Sequence, residues 1–225
     1  MAIKRHKTEL SVRSSLMGDD APPTGQPLRD LLAERLDEFP RQAQPQDEAT
    51  PAAVALAVLD DEPDPAFVLT RRSTRLRGHR GQWALPGGRL DDGETAETAA
   101  LRELAEEVGL VLAEDAVLGA LDEYPTRSGF LITPVVVWAG TGADLRPNPA
   151  EVAEIHRIPV RELLRPDSPR FVEVPETDRP VVQMLIGENQ IHAPTGAVLH
   201  QFAEVCLLGR QTRVAHFDEP SWAWY

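Results

Sequence analysis

The chain has 225 residues, a formal net charge of −13 at pH 7 and a calculated isoelectric point near 4.9. This length predicts one well-packed domain with additional elements, and the acidic balance argues against general nucleic-acid or membrane-surface binding. Cys206 is the only cysteine in the sequence, so no intramolecular disulfide can form and a reducing, cytoplasmic location is expected. No apolar run is long enough to span a membrane, and the basic N-terminus lacks the apolar stretch of a signal peptide.

Hydrophobic spacing predicts helices and strands between two polar ends. Residues 1–27 are expected to lack fixed structure, residues 28–210 to form the domain, and residues 211–225 to form an acidic, aromatic tail. Strands are expected at residues 52–59, 67–70, 117–121 and 131–138. Helices are expected at residues 28–39, 95–108, 160–164, 178–185 and 196–208. Such interleaving favours layers of helix around a mixed sheet.

A glutamate-rich helix is the strongest chemical signal in the chain. Residues 95–108 are rich in good helix formers, and Gly109 is placed to end the helix. Glu103, Glu106 and Glu107 fall at i, i+3 and i+4, so their carboxylates share one face. Like charges this close repel by about 0.2–0.5 kcal/mol per pair, whereas a divalent cation with oxygen ligands reverses that cost. A solvated acidic face is the alternative interpretation.

Residues 88–110 extend this signal into a long motif. They read Gly88-x5-Glu94-x7-Arg102-Glu-Leu-x-Glu-Glu-x-Gly-Leu110, which resembles the Nudix box at every fixed position. The resemblance implies an α/β fold, the Nudix α/β/α sandwich with a mixed β-sheet. It further implies hydrolysis of a nucleoside diphosphate linked to another group, with Mg2+ or Mn2+ as cofactor. The metal ligands implied are Glu103, Glu106, Glu107 and the carbonyl of Gly87, while Arg102 and Glu94 would pair and orient the carboxylates.

An arginine-rich segment lies just before the box. Its arginines are Arg71, Arg72, Arg75, Arg77 and Arg80. Arginine suits planar recognition of phosphate, so this reversal of sign in an acidic chain indicates phosphate binding, with a solubilising loop as the alternative. Residues 69–91 also resemble the additional signature of coenzyme A pyrophosphatases, a Nudix branch. The substrate-binding residues expected from this segment are Arg72, Arg77, His79, Gly81 and Gln82.

The resemblance to this branch continues downstream. Residues 128–134, 148–152 and 191–195 are similar to its later segments, and the branch implies cleavage of coenzyme A or acyl-coenzyme A to 3′,5′-ADP and 4′-phosphopantetheine. Two residues depart from its signature. Trp83 replaces a small aliphatic residue and Leu85 replaces an aromatic one, and each is either a core substitution or a change in the pocket.

Other functions remain open. Pro125 resembles a proline of ADP-ribose-cleaving Nudix enzymes, and Tyr124 is similar to a tyrosine of diadenosine-polyphosphate enzymes, so ADP-ribose or a dinucleotide is the second candidate substrate. A Nudix-fold sensor that binds a nucleotide without cleaving it is a third possibility. All box glutamates and Arg102 are present, which favours an enzyme. The expected partner is a small-molecule nucleoside diphosphate, with neither nucleic acid nor membrane, and a homodimer is also open.

The general base has several candidates. Each box glutamate qualifies, and an acid from a later loop, Glu151 or Glu154, is an alternative, with Glu123 a weaker choice. A general base must come within hydrogen-bond reach of the attacking water, which the sequence alone does not specify.

Overall fold

The computed structural model describes residues 22–44, 49–75, 80–175 and 177–220. Two expected substrate-binding residues, Arg77 and His79, lie outside these ranges, as do the last five residues of the tail. The described residues form the α-helices α1 (Gly25–Asp37), α2 (Ala96–Val108) and α3 (Thr195–Phe202). Helix α3 continues into a π-helical turn, Ala203–Leu207. None of the helices in the described ranges is long and apolar enough to cross a bilayer.

The strands form one large mixed sheet and one small antiparallel sheet. The strands of the large sheet are β1 (Thr50–Leu59), β2 (Ala66–Arg72), β3 (Trp83–Ala84), β4 (Gly87–Arg89), β5 (Val117–Ala120), β6 (Tyr124–Pro125), β7 (Phe130–Gly140) and β8 (Val152–Pro159). Its main order is β3-β2-β1-β7-β5, with β1 and β7 parallel and the other pairs antiparallel. The small sheet consists of β9 (Arg170–Val174), β10 (Thr177–Ile186) and β11 (Asn189–His192).

Helices cover both faces of the large sheet. Alternate residues of β1, including Ala53, Ala55 and Ala57, pack against Ala100 and Leu104 of α2. The opposite face, with Leu56 and Val58 on β1, packs in one cluster with residues of α1 and α3. Because both faces are covered, β1 is almost continuously apolar, as expected of a strand in a parallel pair. The α/β/α sandwich with a mixed sheet is therefore confirmed.

The prediction of a helix at residues 178–185 is wrong, because these residues belong to strand β10. A short apolar run such as Val181–Ile186 does not distinguish a helix from a buried strand, and here β10 has pairing partners on both sides, β9 and β11. Strand β8 was not predicted either, since it is rich in exposed polar residues; it pairs along β2 from Ala66 to Arg72. Helix α1 begins at Gly25 rather than Leu28, and residues 160–164 form a 3-10 helix.

Candidate active site

Helix α2 presents its glutamates at the edge of its buried face. The hydroxyl oxygen of Thr95 accepts a hydrogen bond from the backbone N–H of Thr98 at 3.2 Å and caps the start of the helix. Gly109 ends it with a φ of 70°, a left-handed conformation that favours glycine. The carboxylates of Glu103 and Glu107 are buried, whereas the side chain of Glu106 is 56% exposed. The helix therefore places two desolvated carboxylates and one accessible carboxylate side by side.

Arg102 connects the helix to the preceding loop. Its Nε and Nη2 donate to the two carboxylate oxygens of Glu94, each at 3.0 Å, which forms the bidentate pair that the sequence predicts. Its Nη1 donates to Glu103 at 2.8 Å and to Glu106 at 3.2 Å, and Nη2 also donates to the carbonyl of Arg89 at 3.0 Å. One guanidinium thus fixes the loop carboxylate and two helix carboxylates at once.

Two glycines bring strand β4 against these carboxylates. A Cβ atom on Gly88 would lie 2.2 Å from a carboxylate oxygen of Glu103. A Cβ atom on Gly87 would lie 2.3 Å from the carbonyl oxygen of Ala53 and 2.8 Å from the Cα of Val54, both on β1. Gly87 also makes a backbone hydrogen bond to Glu107. The approach of β4 therefore requires glycine at both positions, for different reasons.

Substitution of these two glycines by alanine is expected to have separable effects. Gly88→Ala displaces a flexible carboxylate, so we expect a folded protein that loses at least about tenfold in kcat, as when a ligand-orienting contact is removed. Gly87→Ala collides with the backbone of β1, so we expect a clearly lowered melting temperature. Thermal melts and steady-state rates of both variants test this. A Gly88→Ala protein of full activity would show that Glu103 need not keep its position.

Glu103, Glu106 and Glu107 form the carboxylate face of helix α2, and burial disfavours the charged form of two of them. Desolvation raises the pKa of Glu107 to about 7, opposed by the positive charge of Arg72. Desolvation also raises the pKa of Glu103, opposed by hydrogen bonding to Arg102. Among the described residues, no three His, Cys, Asp or Glu side chains converge into a ready metal cluster, while Arg102 already bonds Glu103 and Glu106. Buried carboxylate oxygens in excess of nearby cations nevertheless fit a hard divalent ion by the chemistry of their donor atoms.

The later acids differ in their surroundings. The charge of Glu151 raises the pKa of both Glu103 and Glu107, so its carboxylate lies within electrostatic range of both. Glu154 instead contacts Nε2 of His156 at 2.9 Å, and Glu123 accepts a hydrogen bond from the backbone N–H of Gln44 at 3.0 Å. Of the three candidates, Glu151 is the one that the structure brings to the box glutamates.

Arg72 is the arginine of the preceding segment that faces the carboxylates. Its Nη1 lies 3.8 Å from a carboxylate oxygen of Glu107, too far for a hydrogen bond. Its Nε is buried and finds no hydrogen-bond partner among the residues that the structure describes. The backbone of Arg72 pairs with Gly81 and Gln82, which brings these two expected substrate-binding residues beside it. Arg71 instead lies over the ring of Trp83, 5.3 Å from its centroid.

A cavity of about 450 Å³ opens beside this arrangement. Arg72, Gly87 and Gly88 belong to its wall, and most of the remaining wall is apolar. The wall includes Trp83, Leu85, Phe130, Ile191, His192, Thr195 and Glu219. Trp83 and Leu85, the two departures from the coenzyme A branch signature, both line the cavity, although Leu85 also belongs to the core.

Several cavity residues follow signals that the sequence contained, whereas Glu219 does not. Phe130, Ile191 and Thr195 lie in the downstream segments that resemble the coenzyme A branch. Glu219 lies in the expected tail, where no pattern singled it out. Tyr124 is buried, its hydroxyl donating to the carbonyl of Phe217 at 3.2 Å, and Pro125 is exposed; neither of these described residues lines the cavity.

The buried carboxyl group of Glu219 makes the free energy of unfolding depend on pH. Burial raises its pKa to about 7, opposed by the N–H of Arg127 and reinforced by the charge of Asp218. Hydrogen bonding to Arg127 keeps the pKa of Asp218 well below its usual range, so Asp218 affects stability only in more acidic solution. Between its ordinary pKa of 4.5 and 7, the native Glu219 holds a proton that the unfolded chain releases. Stability therefore falls as pH rises through this window, by up to about 1.4 kcal/mol per pH unit from this group.

The variant Glu219→Gln removes this titration. Its melting temperature relative to wild type is expected to be several degrees higher near pH 8 than near pH 5, because only the wild-type protein loses the contribution of Glu219, whereas the contribution of Glu107 changes equally in both. Calorimetric melts at the two pH values provide the measurement. An equal difference in melting temperature between the variant and wild type at both pH values would contradict the raised pKa of Glu219.

Comparison with known proteins agrees with this geometry. The sequence profile of the NUDIX domain matches residues 49–176. The chain belongs to the Nudix family. It is 37% identical over 156 residues to the uncharacterized Nudix hydrolase NudL of Photorhabdus laumondii, a match covering 68% of this chain and 83% of that relative. It is 35% identical over 186 residues to the uncharacterized NudL of Pectobacterium atrosepticum, covering 81% and 96%.

Solved Nudix structures are more distant in sequence. A MutT/nudix family protein from Enterococcus faecalis is 19% identical, with a TM-score of 0.45, and the match covers 79% of this chain and 68% of that one. The family assignment rests on the NUDIX profile and the NudL relatives. The chain is therefore a Nudix pyrophosphohydrolase, and enzymes of this family generally use divalent metal ions.

Proposed function

We propose that this Nudix hydrolase cleaves the diphosphate of coenzyme A or acyl-coenzyme A, giving 3′,5′-ADP and 4′-phosphopantetheine. The observation that carries the proposal is the position of the cavity beside the carboxylate face. Arg72 and Gly87 border both, so a diphosphate held at the carboxylates would extend one of its two substituents into the cavity. The proposal requires a small-molecule substrate, and neither a nucleic acid nor a membrane.

The carboxylate face would hold Mg2+ or Mn2+ through Glu103, Glu106 and Glu107, with the carbonyl of Gly87 as a further ligand. When bound, such an ion supplies Lewis-acid polarisation of a phosphoryl oxygen and a more acidic water. Arg102 keeps the carboxylates oriented through its bonds to Glu103 and Glu106, and Glu94 keeps Arg102 in place. These residues fix the donor geometry before a substrate arrives.

Two further residues act on the substrate and the water in this proposal. Arg72 offers the buried N–H of its Nε to a phosphate oxygen, a charge-assisted bond that also compensates the charge of the diphosphate. Glu151 accepts the proton of the attacking water, since its carboxylate lies within electrostatic range of Glu103 and Glu107. Gly81 and Gln82, paired with Arg72, shape the entrance to the cavity.

The cavity size is compatible with one half of a diphosphate-linked substrate. A volume of about 450 Å³ falls within the usual range for small-molecule sites, roughly 300–1,000 Å³, and suits one half of coenzyme A. ADP-ribose and dinucleotides share the same layout and are the alternative substrates. Tyr124 and Pro125, which pointed to them, stand outside the cavity wall.

A substrate panel tests the proposal. The full chain is incubated with Mg2+ or Mn2+ and coenzyme A, ADP-ribose, NADH or a diadenosine polyphosphate, and the products are identified by mass. We expect 3′,5′-ADP and 4′-phosphopantetheine from coenzyme A. AMP and ribose phosphate from ADP-ribose, with coenzyme A uncleaved, would overturn the substrate assignment while leaving the hydrolase chemistry intact. The double variant Glu106→Gln, Glu107→Gln is the inactive control.

A further inference from the structure

We propose that the C-terminal segment Val214–Glu219 supplies a specificity-determining residue to the cavity. In this inference the Glu219 carboxylate accepts a hydrogen bond from an N–H group of the substrate half that enters the cavity. The inference rests on the proposed function, because it requires a diphosphate substrate with one half in this space. The sequence predicts a tail at residues 211–225, and Glu219 of this segment belongs to the cavity wall.

Asp218 anchors the segment next to Glu219. Arg127, in the turn between β6 and β7, donates to both carboxylate oxygens of Asp218, and the hydroxyl of Thr177 donates to one of them at 2.5 Å. The backbone N–H of Asp218 donates to the carbonyl of Pro180 at 2.9 Å, and Asp218 forms a parallel bridge with Val181. The segment is therefore tied to both the large and the small sheet.

The preceding residues are fixed as well. Arg179 on β10 donates from Nε to the carbonyl of His216 at 2.9 Å and from Nη2 to that of Phe217 at 3.1 Å. The buried hydroxyl of Tyr124 donates to the same carbonyl of Phe217. A side chain whose preceding residues are held by such bonds keeps its position, and this is what discrimination between substrates requires.

Glu219 itself is a buried carboxyl group in the cavity wall. It is 3% exposed, and its Oε1 accepts the backbone N–H of Arg127 at 3.2 Å. Above its pKa of about 7 it is a carboxylate, a group with about four lone-pair sites, which suits a hydrogen bond from a substrate as well as those within the protein. Trp83, Phe130 and Ile191 give the cavity apolar surface, where a polar group is costly unless it is hydrogen-bonded. A donor on the substrate offsets that cost.

Two side chains of opposite charge in the cavity wall favour different parts of the substrate. Arg72 attracts phosphate, whereas the ionised carboxylate of Glu219 repels it and attracts a neutral group with an N–H donor. Coenzyme A offers such donors on both sides of its diphosphate, as the amino group of adenine and as the amides of the pantetheine arm. The inference concerns this shared chemistry, and the test separates the two sources.

The test compares Glu219→Ala, Glu219→Gln and a matched control, Glu173→Gln, which changes an exposed carboxylate on β9. For the substrate that wild type cleaves, Glu219→Ala is expected to raise KM by about tenfold or more, the effect of losing a hydrogen bond to a charged group, with kcat within about twofold. Glu219→Gln keeps a carbonyl acceptor and should recover part of the loss. The control should match wild type. Melting curves verify that each variant is folded.

Binding of the two halves identifies the donor without turnover. Calorimetric titrations of 3′,5′-ADP and of 4′-phosphopantetheine into wild type and Glu219→Ala should show weakened binding of one half and unchanged binding of the other. Weaker binding of 3′,5′-ADP to Glu219→Ala would identify the adenine amino group as the donor. Weaker binding of 4′-phosphopantetheine would identify an amide of the pantetheine arm as the donor. If both halves bind the variant as they bind wild type, or if neither binds wild type, the inference is overturned. A merely structural role would lower kcat for every substrate alike, which also overturns it.

Failure of the proposed function is a separate result. Wild type that cleaves ADP-ribose but not coenzyme A refutes the coenzyme A assignment. The Glu219 comparison is then read from KM for ADP-ribose, whose adenine carries the same amino group. An unchanged KM for ADP-ribose in Glu219→Ala would in that case overturn the inference too.

Discussion

Replacing Glu107 by glutamine is expected to lower kcat by about 100-fold to 1,000-fold, because a metal ion contributes several kcal/mol of transition-state stabilisation and each 1.4 kcal/mol is a factor of ten. Glu107 is only 2% exposed, and Gln occupies the same volume, so the fold should be retained. The substitution also removes a buried charge whose pKa is raised to about 7 by desolvation. In the presence of a chelator the variant should therefore melt at or above the wild-type temperature. Activity and metal-free stability are expected to move in opposite directions.

The matched control is Glu97→Gln, which removes a carboxylate from the first turn of the same helix. It is expected to keep nearly full activity, because Glu97 lies outside the cluster bonded by Arg102. Steady-state rates with saturating Mg2+ and melting curves with chelator measure both variants. A Glu107→Gln enzyme with more than about half of the wild-type kcat would refute the assignment of Glu107 as a ligand, since that loss is below 1 kcal/mol.

The second large effect is expected from Arg102→Lys. A lysine keeps the charge but lacks the planar fork with which Arg102 bonds Glu94, Glu103, Glu106 and the carbonyl of Arg89. We expect kcat to fall about 10-fold to 100-fold, as for residues that orient metal ligands. We also expect a loss of about 1–3 kcal/mol in the free energy of unfolding, because buried acceptors lose their donors. Urea denaturation and steady-state rates measure the two effects.

A double-mutant cycle that combines Arg102→Lys with Glu94→Gln tests whether the two residues act through their own contact. If Arg102 and Glu94 act as one unit, the two substitutions together should cost little more than Arg102→Lys alone. Fully additive losses would instead show that the pair does not act through its own contact. Arg146→Lys is the control for the change of residue type, because the side chain of Arg146 is 79% exposed and its ion pair with Asp144 lies on the surface.

The parts of the site that are close along the chain were predictable from the sequence. The fixed spacing of the box places Glu103, Glu106 and Glu107 on one helix face, and the bidentate contact between Glu94 and Arg102 joins residues of the same loop and helix. The α/β/α architecture followed from the same resemblance. The spacing of the glutamates and the contact between Glu94 and Arg102 depend on local geometry, which a sequence pattern specifies directly.

Other parts depend on pairing between distant segments. Strand β10 was predicted as a helix, because its apolar run alone does not reveal its two neighbours in the small sheet. The place of Glu219 in the cavity wall depends on Arg127 bonding Asp218 and on Tyr124 bonding Phe217, contacts between residues about 90 positions apart in the chain. Neither of these contacts has a local signature in the sequence.

The alternation of residues along β1 has an evolutionary consequence. Ala53, Ala55 and Ala57 belong to the packing of the glutamate helix, whereas Leu56 and Val58 belong to the opposite layer, which includes the cavity residues Leu85 and Ile191. Mutations that remodel that layer therefore leave Ala55 and Ala57, which seat helix α2 and do not line the cavity, unchanged. New substrate preferences could arise in this lineage by drift on one side of the sheet, while purifying selection preserves the hydrolytic chemistry on the other.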